Sequence, residues 1–167
     1  MGTQIDFVGY SEDCTVEGRV DLECPRLADM LNDQPTIVVH DAVLVSTADG
    51  HSTTFSELEV GRDELGVVVV SGPRGDPGRR LATRPNEVTM KVGPYVAAGY
   101  MHAPATTNPV SGLNRRPVML AMTDAVLEYE YCDEPVSQTY TTILINRELA
   151  TYLRAVTNPG EIPTDSE

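Results

Sequence analysis

The sequence has few large aromatic side chains: it contains no tryptophan, two phenylalanines and seven tyrosines in 167 residues. A core must therefore be built from valine, leucine, isoleucine, methionine and alanine, which suits small β-barrels at least as well as helical bundles. The 12 prolines and 13 glycines are frequent enough to predict short strands joined by turns. We therefore expect a mainly β protein.

Cysteines are also scarce, and long apolar segments are absent. Cys14, Cys24 and Cys132 show neither C-x-x-C spacing nor clustering with histidine, so no metal site and no cofactor is expected. No window approaches about 18 uninterrupted apolar residues, and the first residues lack the basic and apolar segments of a signal peptide. These absences predict a cytoplasmic protein that does not bind a membrane.

Basic residues are outnumbered, with 12 lysines and arginines against 25 aspartates and glutamates and a formal net charge of −13. Acidic surfaces repel phosphate backbones, so general nucleic-acid binding is not expected. Four arginines are concentrated in residues 71–85, beside a single aspartate. This segment is rich in glycine and proline, which predicts a flexible basic linker.

The most informative feature that is present is a tetrapeptide that occurs twice, as Asp41-Ala42-Val43-Leu44 and as Asp124-Ala125-Val126-Leu127. Further pairs occur in the same order around it: Gly18 with Gly99, Leu31-Asn32 with Leu113-Asn114, Pro35 with Pro117, and Glu64-Leu65 with Glu148-Leu149. Their spacing drifts by single residues, as expected of two copies of one fold that differ in loops and bulges. The sequence therefore predicts an internal duplication.

The duplication divides the chain into copy one at 1–70, the linker at 71–85, copy two at 86–156 and a tail at 157–167 that we expect to be disordered. Leucine and methionine at helical spacing in residues 26–32 predict a short helix in copy one. A copy of about 70 residues is marginal alone. We therefore expect the copies to pack as one pseudo-twofold unit through apolar strand faces.

Short motifs accompany the repeated tetrapeptide. Copy one contains Arg26-Leu27-Ala28-Asp29-Met30-Leu31-Asn32, and copy two contains Thr123-Asp124-Ala125-Val126 and later Asn146-Arg147. In these motifs and in segment order, each copy resembles an Sm-like small β-barrel, and more narrowly a family of small uncharacterised bacterial Sm-like domains. The resemblance implies two tandem Sm-like or SH3-like small β-barrels, with signature positions at Gly18, Asn32, Asp41, Arg62, Gly99, Asn114, Asp124 and Arg147.

The closing segments of the two copies depart from the RNA-binding Sm pattern. RNA-binding Sm proteins carry an Arg-Gly pair there, whereas this chain has Gly61-Arg62 in copy one and Asn146-Arg147 in copy two. The resemblance therefore does not imply RNA contacts for this chain.

The linker arginines are the candidate ligand site. Arg80 and Arg84 match the Arg-x-x-x-Arg half of the cyclic-di-GMP-binding PilZ signature, but its second half, Asp/Asn-x-Ser-x-x-Gly, does not follow. Arg79, Arg80 and Arg84 together form a candidate site for a cyclic nucleotide or another small anion. His40 stands alone in an apolar run and is expected to be structural.

No catalytic constellation is visible, and small β-barrels expose strand edges to which partners add strands. The sequence therefore predicts a non-enzymatic protein-interaction or assembly protein, whose partner is another protein or a second chain of its own kind. Binding of a small anion at the linker arginines is the alternative, and RNA binding is the least favoured function.

Overall fold

The computed structural model describes residues 3–70, 83–104 and 118–155. Within these ranges the chain forms ten β-strands, one short α-helix and one turn of 3-10 helix at Arg62–Glu64. The first half contains β1 (Thr3–Tyr10), β2 (Cys14–Leu22), α1 (Leu27–Asp33), β3 (Thr36–Ser46), β4 (Ser52–Gly61) and β5 (Val67–Val69). The second half contains β6 (Thr83–Val92), β7 (Tyr95–Pro104), β8 (Met119–Tyr131), β9 (Glu134–Asn146) and β10 (Ala150–Ala155).

Local sequence explains most of these elements. In β1 and β2 the apolar side chains of every second residue, such as Ile5, Phe7 and Val20, face the core, as the alternation predicts. Helix α1 buries Leu27, Met30 and Leu31 on one face. It ends before Pro35, because the residue that precedes a proline avoids helical backbone angles.

All ten strands lie in one antiparallel sheet with the order β10-β6-β7-β8-β9-β5-β1-β2-β3-β4. The expectation of a mainly β protein is therefore confirmed. Each half has the same internal order, since β5-β1-β2-β3-β4 in the first half matches β10-β6-β7-β8-β9 in the second. Among the described strands, β4 and β10 form the two open edges.

The start of β6 differs from expectation. Thr83 and the two residues after it lie in the segment predicted as linker, yet their backbone pairs with β7, Thr83 opposite Pro104 and Pro85 opposite His102. Proline fits here because β10 pairs with β6 only between Val88 and Val92, so among the described strands only β7 adjoins the backbone at Pro85.

Both halves carry the same bulge where β2 meets β3 and where β7 meets β8. The register shifts on either side of Gly18 in the first half and of Gly99 in the second. A Cβ atom on Gly18 would lie 2.7 Å from the His40 carbonyl oxygen, and one on Gly99 would lie 2.8 Å from that of Thr123. Both glycines therefore stand where two backbones approach closely.

The two repeated aspartates lie inside strands and have left-handed backbone angles. Asp41 lies within β3 and Asp124 within β8, with φ angles of 52° and 47°. Aspartate is among the few non-glycine residues that adopt the left-handed region at modest cost. Both aspartates therefore bend a long strand opposite the glycine bulge.

The two halves exchange core residues. Met119 and Leu144 of the second half pack in a cluster made otherwise of first-half side chains. Tyr10 and Val67 of the first half pack in the cluster of the second half. Neither core is therefore complete within its own half.

The two halves are joined by the pairing of β5 with β9, and the prediction of a pseudo-twofold unit is wrong. Strand β9 is the counterpart of β4, so a twofold relation would also require β4 to pair with β10. These two strands instead lie at opposite ends of the described sheet. The relation between the halves is therefore head-to-tail.

Candidate interaction surface

The junction of the two halves is a short β-ladder between apolar strands. Val67, Val68 and Val69 of β5 pair with Ile145, Leu144 and Ile143 of β9, respectively. Two flanking backbone bonds extend the ladder, from the Asn146 N–H to the Gly66 carbonyl at 2.9 Å and from the Val70 N–H to the Thr142 carbonyl at 3.1 Å. The first half thus binds the second by strand addition.

Two asparagine side chains fix this junction with hydrogen bonds to backbone groups of the opposite half. Asn32 accepts a bond from the Met119 N–H at 2.8 Å and donates one to the Met119 carbonyl at 3.3 Å. Asn146, with only 1% of its surface exposed, donates to the carbonyls of Arg62 and Leu65, each at 3.1 Å. Buried polar groups need such partners, so the two asparagines fix the register of the halves.

Arg62 ties the junction to helix α1. Its Nη1 donates to the carbonyls of Leu31 and Asn32, each at 3.0 Å, and these carbonyls belong to the last turn of the helix, where no intrahelical donor is available. Its backbone N–H donates to the Pro35 carbonyl at 2.7 Å. Arg62 therefore holds the helix end beside the Asn32 contact.

The β4 edge carries no neighbouring strand among those described. Large apolar side chains are exposed close to this edge, with Val38 on β3 at 43% and Phe55 on β4 at 36%. Val38 pairs with Glu59, which is also exposed. An exposed strand edge with apolar side chains beside it is the feature to which a partner strand adds.

The surface beside this edge is acidic. The ring of His40 lies between two carboxylates, 3.2 Å from Asp21 through Nε2 and 3.6 Å from Glu57 through Nδ1. The expected structural role of His40 agrees with these contacts. Arg19 forms an ion pair with Asp41 on the neighbouring bend.

Two cavities beside the junction do not favour an anionic ligand. One of about 390 Å³ lies between the halves and is lined by four carboxylates together with Tyr95, namely those of Glu12, Asp13, Asp63 and Glu64. A neighbouring cavity of about 350 Å³ adds Glu128 and Glu130. Carboxylates repel an anion, so neither cavity suits the ligand that the arginines suggested.

Tyrosines form the second polar feature at the junction. The rings of Tyr10, Tyr95 and Tyr129 meet edge to face, with centroids 5.3 to 5.5 Å apart. The Tyr10 and Tyr140 hydroxyls are 2.6 Å apart, and Tyr95 donates to the Ser11 carbonyl at 2.6 Å. These contacts link the first half to the second.

Burial sets the acidity of these hydroxyls. Burial raises the pKa of Tyr10, and the hydrogen bond with Tyr140 raises it further. Burial also raises the pKa of Tyr95 and of Tyr129. All three tyrosines are therefore neutral at physiological pH and act as packing and hydrogen-bonding groups.

The predicted signature positions have different roles in the structure. Gly18 and Gly99 form the bulges, Asp41 and Asp124 form the bends, and Asn32 and Arg62 lie at the junction, as described above. The backbone N–H of Arg147 donates to the Val118 carbonyl at 2.8 Å within the second half. Asn114 lies outside the described residues.

The linker arginines are not brought together by the described residues. Arg79 and Arg80 lie outside them, and Arg84 is placed in β6 with its backbone opposite Ala103. The residues that sequence reasoning missed are Leu144 and Asn146 as parts of the junction. The sequence feature that could have identified them is the C-terminal end of β9, which is more apolar than the equivalent end of β4.

Within the described ranges, no group of three or more histidine, cysteine, aspartate or glutamate side chains is placed to hold a metal ion. Cys14, Cys24 and Cys132 are half-buried and form no disulfide. Neither helix in these ranges has the length and apolar character that crossing a membrane requires. Comparisons with protein-family models, with curated proteins and with solved structures found no match to this chain.

Proposed function

We propose that this chain is a non-enzymatic protein-interaction or assembly protein that takes a partner strand at the open β4 edge. One observation carries this proposal: the chain already joins its own halves by adding β9 to β5. Strand addition is a common mode of recognition because backbone hydrogen bonds give affinity and alternate side chains give specificity. The exposed Val38 and Phe55 supply apolar surface beside that edge.

Each half, in this proposal, is an Sm-like small barrel that arose by duplication. The equal strand order of the halves, the paired glycine bulges and the paired aspartate bends support it. The proposed location is the reducing cytoplasm, which suits three cysteines without a disulfide. The partner is a protein, and nucleic acid is disfavoured by the net charge of −13.

The test compares capture by the wild-type chain with capture by an edge variant. Val38→Lys with Phe55→Lys places two cations beside β4 at exposed positions, so the fold should persist while the bound partner is lost. Thr3→Lys with Gln4→Lys is the matched control, because it adds equal charge at exposed positions of β1, which β2 and β3 separate from β4. Bound proteins are identified by mass spectrometry, and the mass of each complex by light scattering.

Two results would contradict the proposal. One is a wild-type chain that is strictly monomeric and captures no protein. The other is a partner that binds the edge variant and the control variant equally well. The alternative of a small anion at Arg79, Arg80 and Arg84 stays a prediction, and calorimetry with a cyclic dinucleotide on wild-type and Arg80→Ala protein tests it.

A further inference from the structure

The β3–β4 ladder of the first half and the β8–β9 ladder of the second half place Glu59 and Leu144 at equivalent positions. In the first half Ile37 pairs with Val60 and Val39 with Leu58. In the second half Leu120 pairs with Ile145 and Met122 with Ile143. Counted from the repeated bends at Asp41 and Asp124, these pairs are equivalent. Glu59 therefore stands in β4 where Leu144 stands in β9.

These two side chains have opposite surroundings. Ile143 and Ile145 face the core of the second half, whereas Leu144 faces away from it and packs in the core of the first half. In β4, Val60 and Leu58 likewise pack on the first core, and Glu59 faces away from it and is exposed. Leu144 thus completes a neighbouring core, and Glu59 occupies the position that would do the same.

The open edges would complement each other if Glu59 were apolar. The bulge glycines show that β10 is the counterpart of β5, with Leu153 opposite Met90 just as Val68 is opposite Gly9. A second chain that added its β10 to β4 in the register of the internal junction would place its Leu153 opposite Glu59. The Glu59 carboxylate would then enter an apolar core.

We propose that Glu59 is the residue that restricts the head-to-tail junction to the inside of one chain. Burial of a carboxylate without a cation is strongly unfavourable, so β4 rejects the β10 strand of a second chain. Charged side chains on edge strands oppose sheet extension in this way. The inference rests on the proposed function, since it takes β4 as a strand-addition edge. It excludes one partner, a second chain whose β10 pairs with β4 in the register of the internal junction.

The experiment is sedimentation velocity on the full chain over a wide range of concentration. Wild-type protein is expected to be monomeric, and Glu59→Leu is expected to self-associate at least about a hundredfold more strongly. Glu57→Leu is the matched control. It makes the same change on the same face of β4, but its counterpart, Thr142, contributes to the internal junction only a backbone carbonyl and lies outside the buried core cluster that Leu144 joins.

A second variant locates the contact. Leu153→Glu in the Glu59→Leu background should return the chain to a monomer, because it places a carboxylate on the opposite side of the new junction. Circular dichroism on each variant verifies the fold.

Three results would overturn the inference: wild-type chains that assemble through β4 and β10, a Glu59→Leu variant that stays monomeric, or equal association by Glu57→Leu. If Glu59→Leu stays monomeric while wild-type protein still captures a partner at β4, this inference fails and the proposed function stands.

Discussion

Replacement of Leu144 by alanine should destabilise both halves together. The side chain is 1% exposed and belongs to β9, yet it packs among residues of the first half. Truncation removes buried apolar surface and leaves a cavity in the core of the first half. Substitutions of this kind cost about 2–5 kcal/mol of unfolding free energy, and the position at a shared core places Leu144→Ala within that range.

Urea denaturation followed by tyrosine fluorescence and far-ultraviolet circular dichroism measures this change. The chain lacks tryptophan, so the fluorescence reports the tyrosines, among them the cluster at the junction. A loss of about 3 kcal/mol should lower the melting temperature by roughly 6–12 °C in a chain of this size. Both probes should report one transition, because each core contains residues of the other half.

A double-mutant cycle with Val68 tests whether the loss arises at the junction itself. Leu144 and Val68 are paired across β9 and β5, so their alanine variants should be coupled by about 0.5–3 kcal/mol. Val38→Ala is the control, since an exposed side chain should change stability by no more than about 0.5 kcal/mol. A cost below about 1 kcal/mol for Leu144→Ala, or two separate transitions of which only one moves, would refute the shared cores.

Three further predictions concern the bulge, the buried asparagine and the tyrosine cluster. Gly18→Ala should destabilise the fold by about 1–3 kcal/mol because its Cβ would overlap the His40 carbonyl. Gly93 has a φ of 58°, and a Cβ added there would meet no atom within 4 Å, so Gly93→Asn should cost less than about 1 kcal/mol. Thermal melts compare the two variants. Asn146→Ala should cost about 1–3 kcal/mol in urea denaturation, since it removes the side-chain donor to the buried Leu65 carbonyl and one of two donors to the Arg62 carbonyl. A neutral result would contradict its role at the junction. Because the folded pKa of Tyr10 and of Tyr95 lies above the unfolded value, the contribution of these two tyrosines to stability should be fully present below about pH 10 and be lost as pH rises beyond it. Tyrosinate absorbance that titrates fully near pH 10 while the protein stays folded would contradict this.

Local features were predictable because local sequence determines them. The alternation in β1 and β2, the helical spacing before Pro35 and the glycine at each bulge depend on neighbours in the chain or one strand away. The repeated Asp-Ala-Val-Leu segment marked two equivalent positions, but nothing in the sequence predicted that its aspartates would bend a strand. A left-handed aspartate in a long strand has no signal in the apolar pattern, and only repetition identified these two positions.

The junction between the two halves could not be predicted from local sequence. Pairing of β5 with β9 joins segments that are far apart in the chain, and several strand edges of similar composition competed for it. Strand β9, which pairs with β5, carries Leu144 at the position where the equivalent strand β4 carries Glu59. That difference between Glu59 and Leu144 becomes visible only when the ladder registers align the two halves.

The exchange of core residues has a consequence for synthesis on the ribosome. Domains commonly fold as they emerge, with N-terminal units first. Here the first core lacks Met119 and Leu144 until most of β9 has been translated. One edge of β5 therefore stays unpaired while the second half is synthesised. We therefore expect the nascent first half to need protection by a chaperone, and both halves to fold in a single late step.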